Sequence, residues 1–456
     1  MVFISFEFVL LTALTFVIYY VASYRYQKYV LLLASTVFIG YNSLYFLLTA
    51  VLLSTATYWL GLRLSKKQEE KTLNRIYFSG IAFLVGVWTV CRHSGLIIPL
   101  GISFYTFQAL SYLTEVYWGE FKAEKNYLNF LLYMLLFMKF LSGPIERPSA
   151  LLPQLQEGKK FDYDTITYGL KLILLGLIKK LVIADNLSSA IDAIYASPQD
   201  ASGIQLFMTM LIYPIQLYTD FSGYTDMALG TARLFGYRLT PNFDRPFTAE
   251  TTSDLWRRWH ITLSFWVRDY IFMPLTSVLR RWNKPGIYLS LLITFSALGV
   301  WHGVGMSFVV YGLIQGIIIC YEMRFGFLRN FILKKLGARI GGWVLILRTY
   351  LLFAFSLIFF RAGNIREAIY FISRMSFRVN QSWKEINIGL TDHVCIVAGS
   401  ALLLIWIFEY FQSKRDLFQV ISRQPVWIRW SVYYILIFAL LTTGKFDSEN
   451  FIYLQF

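Results

Sequence analysis

"GIYLSLLITFSALGVWHGVGMSFVVYGLIQGIIICY", residues 286–321, holds no Lys, Arg, Asp or Glu, and His302 is its only side chain that titrates near neutrality. As one straight helix it would run about 54 Å, whereas a bilayer core is only ~30 Å thick. The stretch therefore predicts a helix that breaks or turns. Glycine is the local breaker, so the break is expected at Gly303-Val304-Gly305, immediately after the histidine. A titratable group at such a depth has to be offset by a partner or a water-filled cavity. His302 is thus either a neutral histidine hydrogen-bonded to a neighbouring helix or a functional group.

The rest of the chain agrees with a membrane setting. Apolar residues make up 57% of the 456 residues and charged ones 15%, against roughly 45–50% and about 25% in soluble domains. Apolar runs recur from 2–21 through 127–142, 166–184 and 203–219 to 343–360, 393–411 and 430–443. Several are shorter than a span needs, so the expected fold is an all-α polytopic membrane protein with about 11 transmembrane helices plus re-entrant or interfacial ones. The first run is not expected to be a cleaved signal, because no basic residue precedes it and Tyr19-Tyr20-Val21 is no small-residue cleavage site. No polar stretch is long enough for a soluble domain, so residues 1–456 read as a single membrane domain.

The net charge of +15 falls in loops and helix ends, which points to positive-inside bias and anionic lipid rather than to nucleic acid. The cluster "RLSKKQEEKTLNR" (63–75) is expected in the cytoplasm and the N-terminus outside. Basic residues flank the run 393–411 on both sides, so either one of those loops breaks the rule or that run does not span. Cys91, Cys320 and Cys395 sit in or beside apolar runs, and Cys91/His93 and His393/Cys395 offer two ligands each. Two are too few for a metal site, so no metal is expected.

A second histidine lies in "TTSDLWRRWHITLSFWVRDY" (251–270). Helical periodicity puts Leu255, Trp256, Trp259, Leu263, Trp266, Val267 and Tyr270 on one face and Arg257, His260, Ser264 and Arg268 on the other. Thr251 or Ser253 is placed to cap the start. Such a helix either lies in the membrane interface with its tryptophans at headgroup depth, or lines a polar cavity.

A neutral imidazole is a natural base for a hydroxyl attacking an activated acyl group. Serine and cysteine nucleophiles lack their motifs, and Walker, Rossmann and HExxH patterns are absent. Two more polar clusters stand out. Asp220, Ser222 and Asp226 interrupt an apolar stretch, either capping a helix around Ser222-Gly223 or lining a cavity; Glu146 and Arg147 sit in a Pro-Gly-rich break that suits a local ion pair.

Six blocks then carry a resemblance: "PLGISFYTFQALSYLTEVY" (99–117), "FLSGPIERP" (140–148), "DFSGYTDMALGTARLFGYRLTPNFDRPF" (220–247), "LWRRWHITLSFWVRDYIFMPL" (255–275), "SALGVWHG" (296–303) and "NFIYLQF" (450–456). In this order they resemble the membrane-bound O-acyltransferase (MBOAT) family, in its bacterial alginate O-acetylase (AlgI)-like branch. The resemblance implies a multi-helix membrane fold with a central tunnel, its catalytic part roughly 96–325. It makes His302 the principal catalytic residue and His260 the second. Arg257, Arg258, Arg268, Asp226 and Trp301 are candidates for substrate binding, the arginines suiting the phosphates of a CoA or carrier arm.

No tightly bound cofactor is implied; the donor would be acetyl-CoA or an acyl-carrier thioester. The expected partners are the lipid bilayer, an extracytoplasmic acetyltransferase and a polysaccharide acceptor. The expected location is the bacterial cytoplasmic (inner) membrane, in multi-pass form. After residue 273, "MPLTSVLRRWNKPG" departs from the Gly-Gly-Asn turn of that branch, and "SFWVRDYIFM" leans towards D-alanyl transfer to teichoic acid. That activity, and a transporter with an intramembrane histidine relay, are the alternatives.

Overall fold

The computed structural model describes residues 1–93, 98–99, 101–141, 143–376 and 383–446. Leu100, Ser142 and "NFIYLQF", all quoted above, lie outside the described residues, as does the side chain of His93. The described chain is helical and divides into two compact units, Met1–Gly176 with Tyr224–Pro241, and Leu177–Gly223 with the residues from Asn242 onward.

In the first unit, α1 (Phe6–Val21), α2 (Tyr24–Asn42), α3 (Leu44–Leu64) and α4 (Glu70–His93) follow one another through short turns. α5 (Ile102–Trp118) packs on α3 and α4 and is buried along most of its length. Gly61 makes room for the ring of Tyr112 where α3 and α5 meet. The run 127–142 is not one helix. It divides at Leu136 into α6 (Tyr127–Leu135) and α7 (Phe137–Phe140), because Leu136 leaves the helical region with ψ 112°.

The chain continues through α8 (Pro148–Gln156) and α9 (Tyr163–Leu177). Glu146 does not pair with Arg147. Its buried carboxylate accepts from the backbone N–H (2.5 Å) and hydroxyl (3.1 Å) of Thr240, while Arg147 reaches Glu115 at 3.6 Å.

The second unit begins in a wide π-type turn, Ile178–Ala184, followed by α10 (Asp185–Ala196). There the buried ammonium of Lys180 lies 2.7 Å from both Asp185 and Asp220. A lysine so deep is tolerated only when charge partners surround it. α11 (Gly203–Leu234) runs unbroken through Ser222-Gly223, so neither Asp220 nor Asp226 caps a helix. Its first two-thirds belong to this unit and its end to the other.

Next come α12 (Thr252–Arg258), α13 (Ile261–Val267), α14 (Met273–Val278), α15 (Asn283–His302) and α16 (Met306–Arg324). α15 ends at His302, and the chain reverses through Gly303-Val304-Gly305, where the glycines predicted it would. α15 and α16 then pack closely along their length. A methyl added at Gly299 would collide with the carbonyl of Phe308, and one at Gly312 with that of Phe295. In lipid, where burial of apolar surface gives helices little reason to associate, such backbone approach supplies the dispersion contact that holds them.

α17 (Gly326–Arg361) is broken at Gly337, whose φ of 76° suits glycine. The described chain closes with α18 (Ile365–Arg374), α19 (Trp383–Ile386), α20 (Asp392–Gln412), α21 (Leu417–Ser422) and α22 (Val426–Thr443).

Among the described residues, seven helices are long and apolar enough to cross a membrane, α20 included. This is a multi-pass membrane protein. The number falls below the expected eleven or so because α1 is short, the runs 127–142 and 166–184 divide, and α11 carries polar side chains through its apolar stretch.

Candidate active site

The segment 251–270 does not form one helix. α12 is capped by the Thr251 hydroxyl, which accepts from the N–H of Asp254 at 3.1 Å, and it stops at Arg258. His260 then adopts φ 41°, ψ 56°, and α13 starts anew. A left-handed histidine is uncommon and needs surrounding structure to hold it. Asn242 supplies that hold: its backbone carbonyl accepts from the N–H of Ile261 (2.9 Å), and its Oδ1 accepts from the N–H (3.2 Å) and hydroxyl (2.6 Å) of Thr262.

The break redistributes the side chains. Trp256, Trp259 and Trp266 are buried within the protein rather than set in an interface. Trp256 donates through Nε1 to Gln315 (3.0 Å), whose amide donates to the hydroxyl of Ser356 (2.6 Å), so that one polar chain ties α12 to α16 and α17. At the start of α12, the carboxylate of Glu322 accepts from the N–H of Thr252 (2.9 Å) and from Arg348 (2.7 Å). These bonds anchor α12 at both ends of its short length.

His260 is not on a polar stripe but is buried to 1% exposure. Its ring stands edge-on to Phe221 at 4.7 Å and lies 6.2 Å from the indole of Trp301. His302, 3% exposed, lies against Trp301 (4.7 Å), Phe360 (5.0 Å) and Tyr311 (5.9 Å). Two buried imidazoles thus share one indole. Burial, and after it the charge of His302, hold the pKa of His260 well below its usual value, so His260 is neutral. His302 is the last residue of α15.

Arg257 is exposed. Arg258 is held by Asp254 (2.9 Å) and approaches Asp244 (3.9 Å), while exposed Arg268 pairs with Asp269 (2.7 Å) and covers the ring of Phe265 (4.4 Å). Asp226 is half-buried in the other unit. The pairing partners of Arg258 and Arg268 were not legible from periodicity, and neither was the role of Asn242.

A model of the membrane-bound O-acyltransferase family matches residues 124–363, just over half of the chain, and spans Asn242, His260, Trp301 and His302. The chain belongs to the membrane-bound O-acyltransferase family. Among curated relatives, this family member is 30% identical over 322 residues to the probable alginate O-acetylase AlgI of Pseudomonas syringae pv. tomato, a match covering 70% of this chain and 60% of that protein. It is 29% identical over 406 residues to the peptidoglycan O-acetyltransferase of Helicobacter pylori, covering 79% and 75%. Over 230 residues it is 34% identical to the teichoic acid D-alanyltransferase of Streptococcus thermophilus, covering 48% and 55%.

Proposed function

We propose that this protein is an O-acyltransferase of a bacterial inner membrane, moving acetyl groups from a cytoplasmic thioester towards an extracytoplasmic polysaccharide. The observation that carries the reading is the pair of buried histidines, His260 and His302, joined through Trp301 at the end of α15, in a run free of Lys, Arg, Asp and Glu from residue 286. In the reaction His302 takes the proton from the acceptor hydroxyl as its oxygen bonds to the thioester carbonyl carbon. The carbon–sulfur bond then breaks, and the imidazolium returns the proton to the leaving sulfur. No net proton is released. Neutral His260 serves as a hydrogen-bonding neighbour rather than a second charge, which would oppose the imidazolium on His302.

Arg257 and Arg268, exposed at the ends of α12 and α13, suit the phosphates of a CoA or carrier arm. The acetyl assignment follows the names of the O-acetylating relatives, and an extracytoplasmic transferase partner is part of the same proposal. D-alanyl transfer is the second reading, favoured by the 34% identity to the teichoic acid enzyme.

The test offers proteoliposomes two labelled donors, acetyl-CoA and a D-alanyl carrier-protein thioester. Loss of the acetyl thioester, with label appearing on a hydroxyl acceptor, supports the acetyl reading. Consumption of the D-alanyl thioester alone replaces it with the second. Solute flux without consumption of either donor makes the protein a transporter and removes both.

A further inference from the structure

Asn242 is completely buried, and its amide is anchored on one side only. A backbone N–H can only donate, so the bond from Thr262 N–H fixes Oδ1 towards Thr262 and turns Nδ2 the other way. Nδ2 has no hydrogen-bond partner among the described residues. Native proteins seldom bury an amide donor without use, because it has lost water and gained nothing in return. This one belongs to the residue that holds the turn at His260, with bonds to Ile261 and Thr262 directly after it.

We propose that Asn242 is a further catalytic residue, whose Nδ2–H donates to the carbonyl oxygen of the acyl thioester as that oxygen gains negative charge. The inference rests on the acyl-transfer reading above. As the acceptor oxygen attacks, the carbonyl π electrons move onto the oxygen; they return when the carbon–sulfur bond breaks, and the sulfur receives the proton carried by His302. Asn242 moves no proton. It offers a fixed dipole in a water-poor site, where a pre-aimed donor acts most strongly on developing charge. The two bonds from Thr262 to Oδ1 keep the amide from rotating to meet the charge, so the donor is in place beforehand. The same bonds make Asn242 a positioning residue for His260, and the test has to separate the two roles.

The discriminating variant is Asn242→Asp, which keeps an acceptor oxygen for Thr262 and the side-chain shape but removes the N–H donor. At pH 7.5 its kcat for labelled acetyl-CoA should fall roughly 10²–10³-fold with KM little changed. Activity should recover as the pH is lowered, because a protonated carboxyl regains a donor. Thr262→Val, which removes one of the two bonds to Oδ1 and leaves the N–H donor of Nδ2 present, should lower kcat less than Asn242→Asp does and show no recovery at low pH. The inference is overturned if Asn242→Asp keeps wild-type kcat, or if Thr262→Val falls as far.

Should Asn242→Asp not fold, the wild-type protein decides. The labelled carbonyl stretch of the bound methyl ketone analogue of acetyl-CoA should lie below its frequency in lipid, and an unshifted band overturns the inference. His302→Ala, run beside these, separates the two claims. A wild type that consumes no thioester defeats the acyl-transfer reading itself, an active His302→Ala defeats the role of His302, and an inactive one beside a fully active Asn242→Asp defeats only the role of Asn242.

Discussion

Trp301 holds its indole 6.2 Å from the imidazole of His260, and the residue next to it in sequence is His302. One side chain on α15 therefore sets the spacing between a helix end and a left-handed turn far away in the chain. Trp301→Phe keeps an aromatic ring but leaves part of the volume empty, which should cost about 1–3 kcal/mol of stability. Activity should fall further than stability explains, roughly 10–100-fold, since small misplacement of reacting groups is expensive. Thermal unfolding and turnover measured on one preparation check both. Wild-type turnover would show that the indole only fills space.

The α15–α16 hairpin tolerates no side chain at its two glycine crossings. Gly299→Ala and Gly312→Ala should each destabilise by about 1–3 kcal/mol through overpacking against backbone carbonyls that have little freedom to retreat. Gly399→Ala, at a position with open space around it, is the control and should be neutral. Unfolding midpoints in detergent would rank them; equal midpoints would mean the hairpin opens more easily than its packing implies.

His260 gives a pH dependence with a definite sign. Its folded pKa lies well below the unfolded value of about 6.5, so the folded state resists a proton that the unfolded state accepts. Its stabilising contribution is therefore present above pH ~6.5 and is lost as the pH falls below it. His260→Gln, which cannot titrate, should flatten the stability profile between about pH 6.5 and 5. An unchanged slope would assign the acid loss to other groups.

Lys139 behaves in the same sense at higher pH. Burial lowers its pKa to about 7, against the opposing charge of Glu146, while its Nζ donates to Gln108 at 2.5 Å. The unfolded lysine stays protonated to about pH 10.4, so stability should rise as the pH climbs from about 7 towards 10. Lys139→Met should abolish that rise, because it removes the titrating amine. Denaturant titrations at pH 7 and 9 check the sign; a wild-type rise that survives in Lys139→Met would contradict it.

What could be read in the sequence was what depends on neighbours along the chain. The uncharged run and its glycines place the turn after His302, and Thr251 caps α12 as its spacing suggests. The 251–270 segment misled because helical periodicity is local. The bonds that break it come from Asn242, whose own backbone and amide hold residues 261 and 262, and no pattern within 251–270 records them. The same limit hid the Lys180–Asp220 ion pair, which joins elements distant in the chain and left Asp220 open between capping a helix and lining a cavity. Arginine pairing escaped for a different reason: Asp254 and Asp269 lie within the segment, but face assignment alone does not say which charge each guanidinium chooses.

The central claim is that His302 performs the proton transfer, and it is tested most directly by the rate of labelled acetyl-thioester consumption in proteoliposomes holding equal amounts of folded wild type and His302→Ala. A fall of at least about 10²-fold in the variant, with donor binding retained, is the predicted result. Equal consumption by the two proteins would contradict it.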